Sequence, residues 1–282
     1  MSDSIFRVIE PGIHSSVQDG GRRGYRRYGM PLSGPLDPYA YAILNSILGN
    51  RENSAAVEVT GSWFSGEFLR DCSFALCGAD PGATLDDAAI PVNEVICAKN
   101  SSILKFHGMK SGIRTYIGVA GGIEGNVFLG STSMPRGKRL ASGDILCFAG
   151  PVGNPDIVEH DFSYIRADGK YKVKVREGPD SVLLGKKITK EFIKDSFKVS
   201  LHLDRMGIRL EPKEYLSGLS DGIVTKPVFP GCIQVTGSGM PVIIMNDGQT
   251  SGGYPVIAVI QNEDLRIIGQ LKTGDLLSFK GV

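Results

Sequence analysis

Strict alternation of apolar and polar positions marks two strands in the second half of the chain. In KYKVKVRE, Tyr171, Val173 and Val175 share one face, with lysines and Arg176 on the other. FKVSLHLD repeats the pattern, which predicts Phe197, Val199, Leu201 and Leu203 inward and Lys198, Ser200, His202 and Asp204 outward. Elsewhere the apolar runs are short and end on Gly, Asp or Ser, as in SFALCGAD, RTYIGVAGG, GDILCF, GCIQVTGSG and GDLLSF, a pattern of barrel or sandwich strands. One segment has helical period instead. In LDPYAYAILNSILGN, Asp37 stands at the N-cap, Pro38 at the first helical position and Gly49 where a left-handed residue closes a helix. Tyr41, Leu44, Ile47 and Leu48 then share one face, and a shorter helix is expected near Thr189–Ser196.

RLASGDILCF and QLKTGDLLSF echo one another 131 positions apart, and the first is followed by the Gly/Pro-rich AGPVGNPD. Such self-similarity predicts a duplicated strand-rich unit, with subdomains 1–150 and 151–282 and a possible crossover of residues 1–60. The expected class is mainly β, with a few short helices. A chain of 282 residues is long enough for two cores, and its 37 glycines are about twice the usual share of roughly 7%, which suits turns and bulges. The 31 basic and 30 acidic side chains nearly cancel, so no nucleic-acid or membrane partner is indicated. MSDSIFRVIEPG lacks a secretory pattern, no apolar run approaches the roughly 20 residues of a membrane span, and five scattered cysteines read as reduced core residues. Together these predict a cytoplasmic protein.

Several motif matches carry no chemistry. GLSDG, residues 218–222, fits G-x-S-x-G but lacks the strand before it and the helix after it, so it reads as a turn. Ser102–Lys105 fits S-x-x-K inside a strand-like run, the four histidines lack metal-ligand spacing, and no phosphate loop is present. Polar clusters beside glycines are more informative. NDGQTSGGY, between two apolar runs, is longer than a chain reversal needs. Its Asp247, Gln249 and Thr250 suit ligand orientation, and Gly252 and Gly253 suit close backbone approach, which predicts a binding loop. The run from Gln18 to Asp37 carries Asp19, Arg22 and Ser33; it reads as a solvated basic loop or as an arginine site for a carboxylate or phosphate. Asp204 and Arg205 read as a surface ion pair, and Glu58 is an ionisable group inside an apolar strand.

Taken in order, PGIHSSVQDGGRRGYRRYGMPLSGPLD, LNSILGN, AAVEVTG, GIRTYIGVAGGI, LGSTS, LDRMGIRL, GCIQVTGSGMPVI and NDGQTSGGYP resemble the family of the 5-oxoprolinase C subunit, allophanate hydrolase subunit 2 and biotin-dependent carboxyltransferases. The resemblance runs from about Val8 to Phe279. It implies cyclophilin-like β-barrel subdomains and work within a heteromeric complex. The implied activity is ATP-dependent opening of 5-oxo-L-proline to L-glutamate, with ATP shared among subunits. The implied partners are a B-subunit-like protein (allophanate hydrolase subunit 1) and a LamB/YcsF-type hydrolase subunit. A second implied activity is carboxyl transfer from carboxybiotin, although the chain has no Met-Lys-Met attachment site. A third, non-enzymatic use is antagonism of a sporulation kinase inhibitor. Carried over by position, the catalytic candidates are Asp247, Asp204 and Arg205. The substrate-binding candidates are Gln18, Asp19, Arg22, Ser33, Glu58, Arg114, Gln234, Gln249, Thr250, Gly252, Gly253 and Tyr254. In such a reaction a cation would face developing negative charge and a carboxylate would manage a proton. One departure is the compact LGSTSMPRGKRL at 129–140, which lacks the family's arginine and its longer glycine-rich insert.

Overall fold

The computed structural model describes residues 4–133, 138–150, 159–214, 216 and 223–282. The G-x-S-x-G match, part of the compact 129–140 loop and most of the Gly/Pro-rich connector lie outside those residues. The protein is mainly β, and its contacts divide it into two units. One comprises the residues up to Arg22 together with Ser33–Ala167; the other comprises Arg23–Leu32 and Asp168–Val282.

The first unit contains a seven-stranded and a five-stranded sheet. The alternation within Ala56–Thr60 shows how its layers form. Val57 and Val59 join Phe64, Phe68, Leu76 and Ile117 in one apolar core, whereas Ala56 packs with the helix Pro38–Ile47 in another. That helix starts as its sequence dictates, with Asp37 Oδ1 accepting from the Ala40 N–H at 3.0 Å. Tyr41, Leu44, Ile47 and Leu48 are buried together. Close approach of helix to sheet depends on Gly118, because a Cβ there would lie 2.8–2.9 Å from Leu44 and Leu48.

The second unit is a closed seven-stranded barrel. Around it run Lys170–Glu177, Val256–Ile260, Cys232–Val235, Pro241–Ile244, Gly207–Glu211, Ser196–Leu203 and Leu276–Gly281, the last pairing in parallel with the first to close the ring. Tyr171, Val173 and Val175 are buried as the alternation predicts. The two echoed segments both become strands, and each pairs with the first strand of its unit. Ile145–Phe148 runs antiparallel to Ser4–Pro11, and Leu276–Gly281 runs parallel to Lys170–Glu177.

Four sequence expectations are corrected. The alternation of FKVSLHLD breaks after Val199, where the pairing with Gly207–Glu211 shifts register. The irregularity reverses the faces, so Ser200 is buried and Leu201 is 80% exposed. The short helix spans Lys186–Lys194 rather than Thr189–Ser196, because Asp195 is already extended and Ser196 begins a strand. Phe192 of that helix packs on Phe197 and Phe279 of the barrel. The five cysteines are free thiols as expected, but Cys97 is exposed; only Cys77 and Cys232 are buried. Finally, the basic run is not simply solvated, since Arg22 is buried.

Candidate functional site

The candidate residues of the first unit form two buried polar clusters. Asp19 is held by four donors: Oδ1 accepts from the Gly21 N–H at 3.0 Å, Ser131 Oγ at 2.6 Å and Ser133 Oγ at 2.8 Å, and Oδ2 accepts from the Thr132 N–H at 2.7 Å. Burial pushes this carboxyl up, but the hydrogen bonds from Ser131, Thr132, Ser133 and Gly21 outweigh it and leave its pKa below the usual 3.8. Arg22 donates from Nε to the Phe128 carbonyl at 3.0 Å and from Nη2 to the Ser133 carbonyl at 2.6 Å, with its guanidinium over the Phe128 ring. Asp19 and Arg22 therefore tie the chain before the helix to Phe128–Ser133. Buried Gln18 donates to Ser16 Oγ, and Ser33 is buried with a left-handed φ of 55°.

Glu58 anchors the second cluster. It lies opposite Tyr116 on the neighbouring strand, and both side chains are fully buried. Glu58 Oε2 accepts from Tyr116 Oη at 2.7 Å and from the Leu36 N–H at 2.9 Å, and Arg114 Nε stands 4.0 Å from Oε1. Tyr116 Oη in turn accepts from the Asp37 N–H at 2.8 Å. Burial, then the charges of Glu58 and Asp37, hold the Tyr116 phenol well above its usual pKa, so it stays protonated as a donor to Glu58.

The second unit carries the cleft. Register places Arg209, Val242 and Gln234 in one row across three barrel strands. Because side chains alternate along each strand, Ile208, Ile243 and Ile233 point to the opposite face from that row and are fully buried. The row forms one wall of a cavity of about 570 Å³, together with Gln249 and Tyr254 of the polar loop. Asp204, His202 and Thr236 also line it, beside the apolar side chains of Leu201 and Met206. Among the sequence candidates, Asp204, Gln234, Gln249 and Tyr254 thus meet at one cavity.

Arg205 and Asp247 meet each other instead. Arg205 Nε lies 2.8 Å from Asp247 Oδ2 and Nη2 lies 3.3 Å from Oδ1, and both side chains are almost fully buried. The expected surface pair of Asp204 with Arg205 does not form. Asp204 Oδ1 accepts from the backbone N–H groups of Met206 and Gly207, closing the turn, while Arg205 reaches across to the loop. The Asp247 N–H also donates to the Arg205 carbonyl at 2.9 Å, which pins the loop to the strand end. Thr250 is partly buried, and its carbonyl accepts from the Val228 N–H. Gly252 approaches the Gln234 amide so closely that a Cβ would lie 2.8 Å from Nε2; Gly253 lies against the Ile223 carbonyl.

Arg209, His202 and Thr236 line the cleft without having been carried over from the sequence. Arg209 was legible in principle: Ile208 and Leu210 are apolar and inward, so period two turns Arg209 outward. No described helix is long and apolar enough to cross a membrane, and the described residues contain no cluster of metal-ligating side chains.

The family model for the carboxyltransferase domain, subdomains A and B, matches residues 28–281. The chain is 32% identical to the C subunit of 5-oxoprolinase from Escherichia coli strain K12, over 98% of this chain and 90% of that one. It is also 32% identical to urea amidolyase of Saccharomyces cerevisiae, over 98% of this chain but only 16% of that enzyme. The crystal structure of Kluyveromyces lactis urea amidolyase superposes with a TM-score of 0.90 at 30% identity, covering all of this chain and 19% of that one. With nearly its whole length matched in sequence and in fold, the chain belongs to the carboxyltransferase-domain family, subdomains A and B.

Proposed function

We propose that this chain is the C-type subunit of a heteromeric ATP-dependent 5-oxoprolinase, contributing the wall that holds and orients a small cyclic amide acid. The observation that carries the reading is the composition of the cleft in the second unit. Arg209 has no ion-pair partner among the described residues and suits a carboxylate. On the same cavity, Asp204 and Gln249 offer acceptors for an amide N–H. 5-Oxoproline carries both groups on one ring. The 32% identity to the 5-oxoprolinase C subunit supports this reading, and equal identity to urea amidolyase keeps carboxyl transfer as the second one.

ATP fits the cleft poorly, because the Asp204 carboxylate opposes a triphosphate and one guanidinium does not neutralise it. The nucleotide therefore belongs to partner subunits in this proposal. Phosphorylation of the lactam oxygen would supply a leaving group, and this chain's part is to bind, orient and desolvate the ring. The leading partners are a B-subunit-like protein and a LamB/YcsF-type hydrolase, with a carboxybiotin-dependent transferase as the competing assembly.

The test is reconstitution. The chain is assayed alone and with both partners for glutamate formed from 5-oxoproline and ATP. Turnover only in the full mixture is the expected result. Robust turnover by the isolated chain would overturn the shared-site reading, and silence from the full mixture would favour carboxyl transfer.

A further inference from the structure

Two glutamine side chains on the cleft form a hydrogen-bond chain whose direction is forced. Gln234 Nε2 donates to the Tyr254 carbonyl at 3.0 Å, and Gln249 Nε2 donates to Gln234 Oε1 at 3.0 Å. The Tyr254 carbonyl can only accept, so Gln234 must turn its nitrogen toward it and its oxygen toward Gln249. Gln249 must answer with nitrogen, which leaves its own Oε1 at the outer end. Reversing either amide would set oxygen against oxygen or nitrogen against nitrogen. One backbone carbonyl thereby orients both side chains. The inner member is 1% exposed, whereas Gln249 is exposed on the cavity.

Gly252 makes this chain possible. Its Cα sits over the Gln234 amide, where a Cβ would lie 2.8 Å from Nε2 and 3.3 Å from Oε1. Asp204 adds a second acceptor: its Oδ1 is occupied by the Met206 and Gly207 N–H groups, while Oδ2 has no partner among the described residues.

Resting on the reading that this cleft holds the ligand, we propose that Gln249 Oε1 selects ligands bearing an unsubstituted amide or ureido N–H, and that Gln234 is the residue positioning it. N-alkylation of the ligand would remove the donor and set a methyl group against an oriented carbonyl oxygen. Loss of one such hydrogen bond weakens binding by about tenfold, and more where the acceptor is left desolvated.

The experiment titrates the full chain with 2-pyrrolidinone and N-methyl-2-pyrrolidinone, and in parallel with urea and tetramethylurea. The readout is the side-chain amide resonances of Gln249 and Gln234 together with fitted affinities. The wild-type chain is expected to prefer the N–H member of each pair by about tenfold. Gln249→Leu, at an exposed position, abolishes the preference by weakening only the N–H ligand. Gly252→Ala displaces the Gln234 amide without altering any polar group, and is expected to narrow the preference likewise. Equal response to both members of both pairs, including no response at Gln249, overturns the inference. Retention of the preference in Gln249→Leu overturns it as well. Discrimination between the ureas but not between the lactams upholds the oriented acceptor while removing the 5-oxoproline reading.

Discussion

Removing one partner of the Arg205–Asp247 pair should damage the barrel far more than removing both. The pair is bidentate and almost wholly buried, so each charge lost takes from the other its bidentate partner in a region of low polarisability. Such single deletions cost about 3–5 kcal/mol, whereas apolar replacement of both partners is often neutral or stabilising. Asp247→Leu and Arg205→Met are therefore each expected to lie in that range, with the double variant less destabilised than either alone. The backbone bond from the Asp247 N–H to the Arg205 carbonyl survives every variant, so the cycle isolates the side chains. Native-state hydrogen exchange of amides in Gly207–Glu211 and Pro241–Ile244 reads the loss within the barrel itself. Since about 1.4 kcal/mol is tenfold, the single variants should exchange roughly two to four decades faster. Additive single effects, or a single loss below about 1 kcal/mol, would refute the buried-pair argument. The same variants bear on chemistry. Asp247 faces Arg205, so complex activity should follow the folded fraction; activity lost with exchange protection intact would return Asp247 to proton transfer.

Three further outcomes follow from the geometry. Under the proposed reading, Arg209→Ala in the reconstituted complex should raise KM for the carboxylate-bearing lactam by about tenfold or more with kcat little changed, because the proposed contact would serve ground and transition states alike; a fall in kcat at constant KM would contradict it. Asp19 has a folded pKa below its usual 3.8, so its contribution is complete above 3.8 and is lost as pH falls through the lowered folded value. Asp19→Asn should therefore destabilise the chain at neutral pH and flatten the acid limb of its stability profile, as followed by circular dichroism. Tyr116→Phe removes the donor to Glu58 and the acceptor for the Asp37 N–H, both buried, and should cost about 1–3 kcal/mol in chemical denaturation; a loss of a few tenths would show the cluster to be hydrated.

What the sequence determined by itself was local. The helix Pro38–Ile47 is specified by a cap, a proline and a closing glycine within one stretch, so its start and buried face are readable before any packing is known. Tyr171, Val173 and Val175 follow from period two in the same way, and the surplus polarity of NDGQTSGGY marked a loop of which Gln249 and Tyr254 line the cavity. What the tertiary structure alone decided depends on partners distant in the chain. Leu201 faces solvent because its strand slips register against another, an event that no alternation within FKVSLHLD records. Arg205 ignores its neighbour Asp204 for Asp247, 42 positions away, since the fold brings that carboxylate to it in a buried, bidentate geometry. Glu58 lies in an apolar strand in either case; the fold brings to it the Leu36 N–H before the helix, the Tyr116 hydroxyl and the Arg114 guanidinium, which make its burial tolerable. Gln234 and Gln249 are two ordinary glutamines until the barrel sets them beside the Tyr254 carbonyl, and a carbonyl's inability to donate then orients them both.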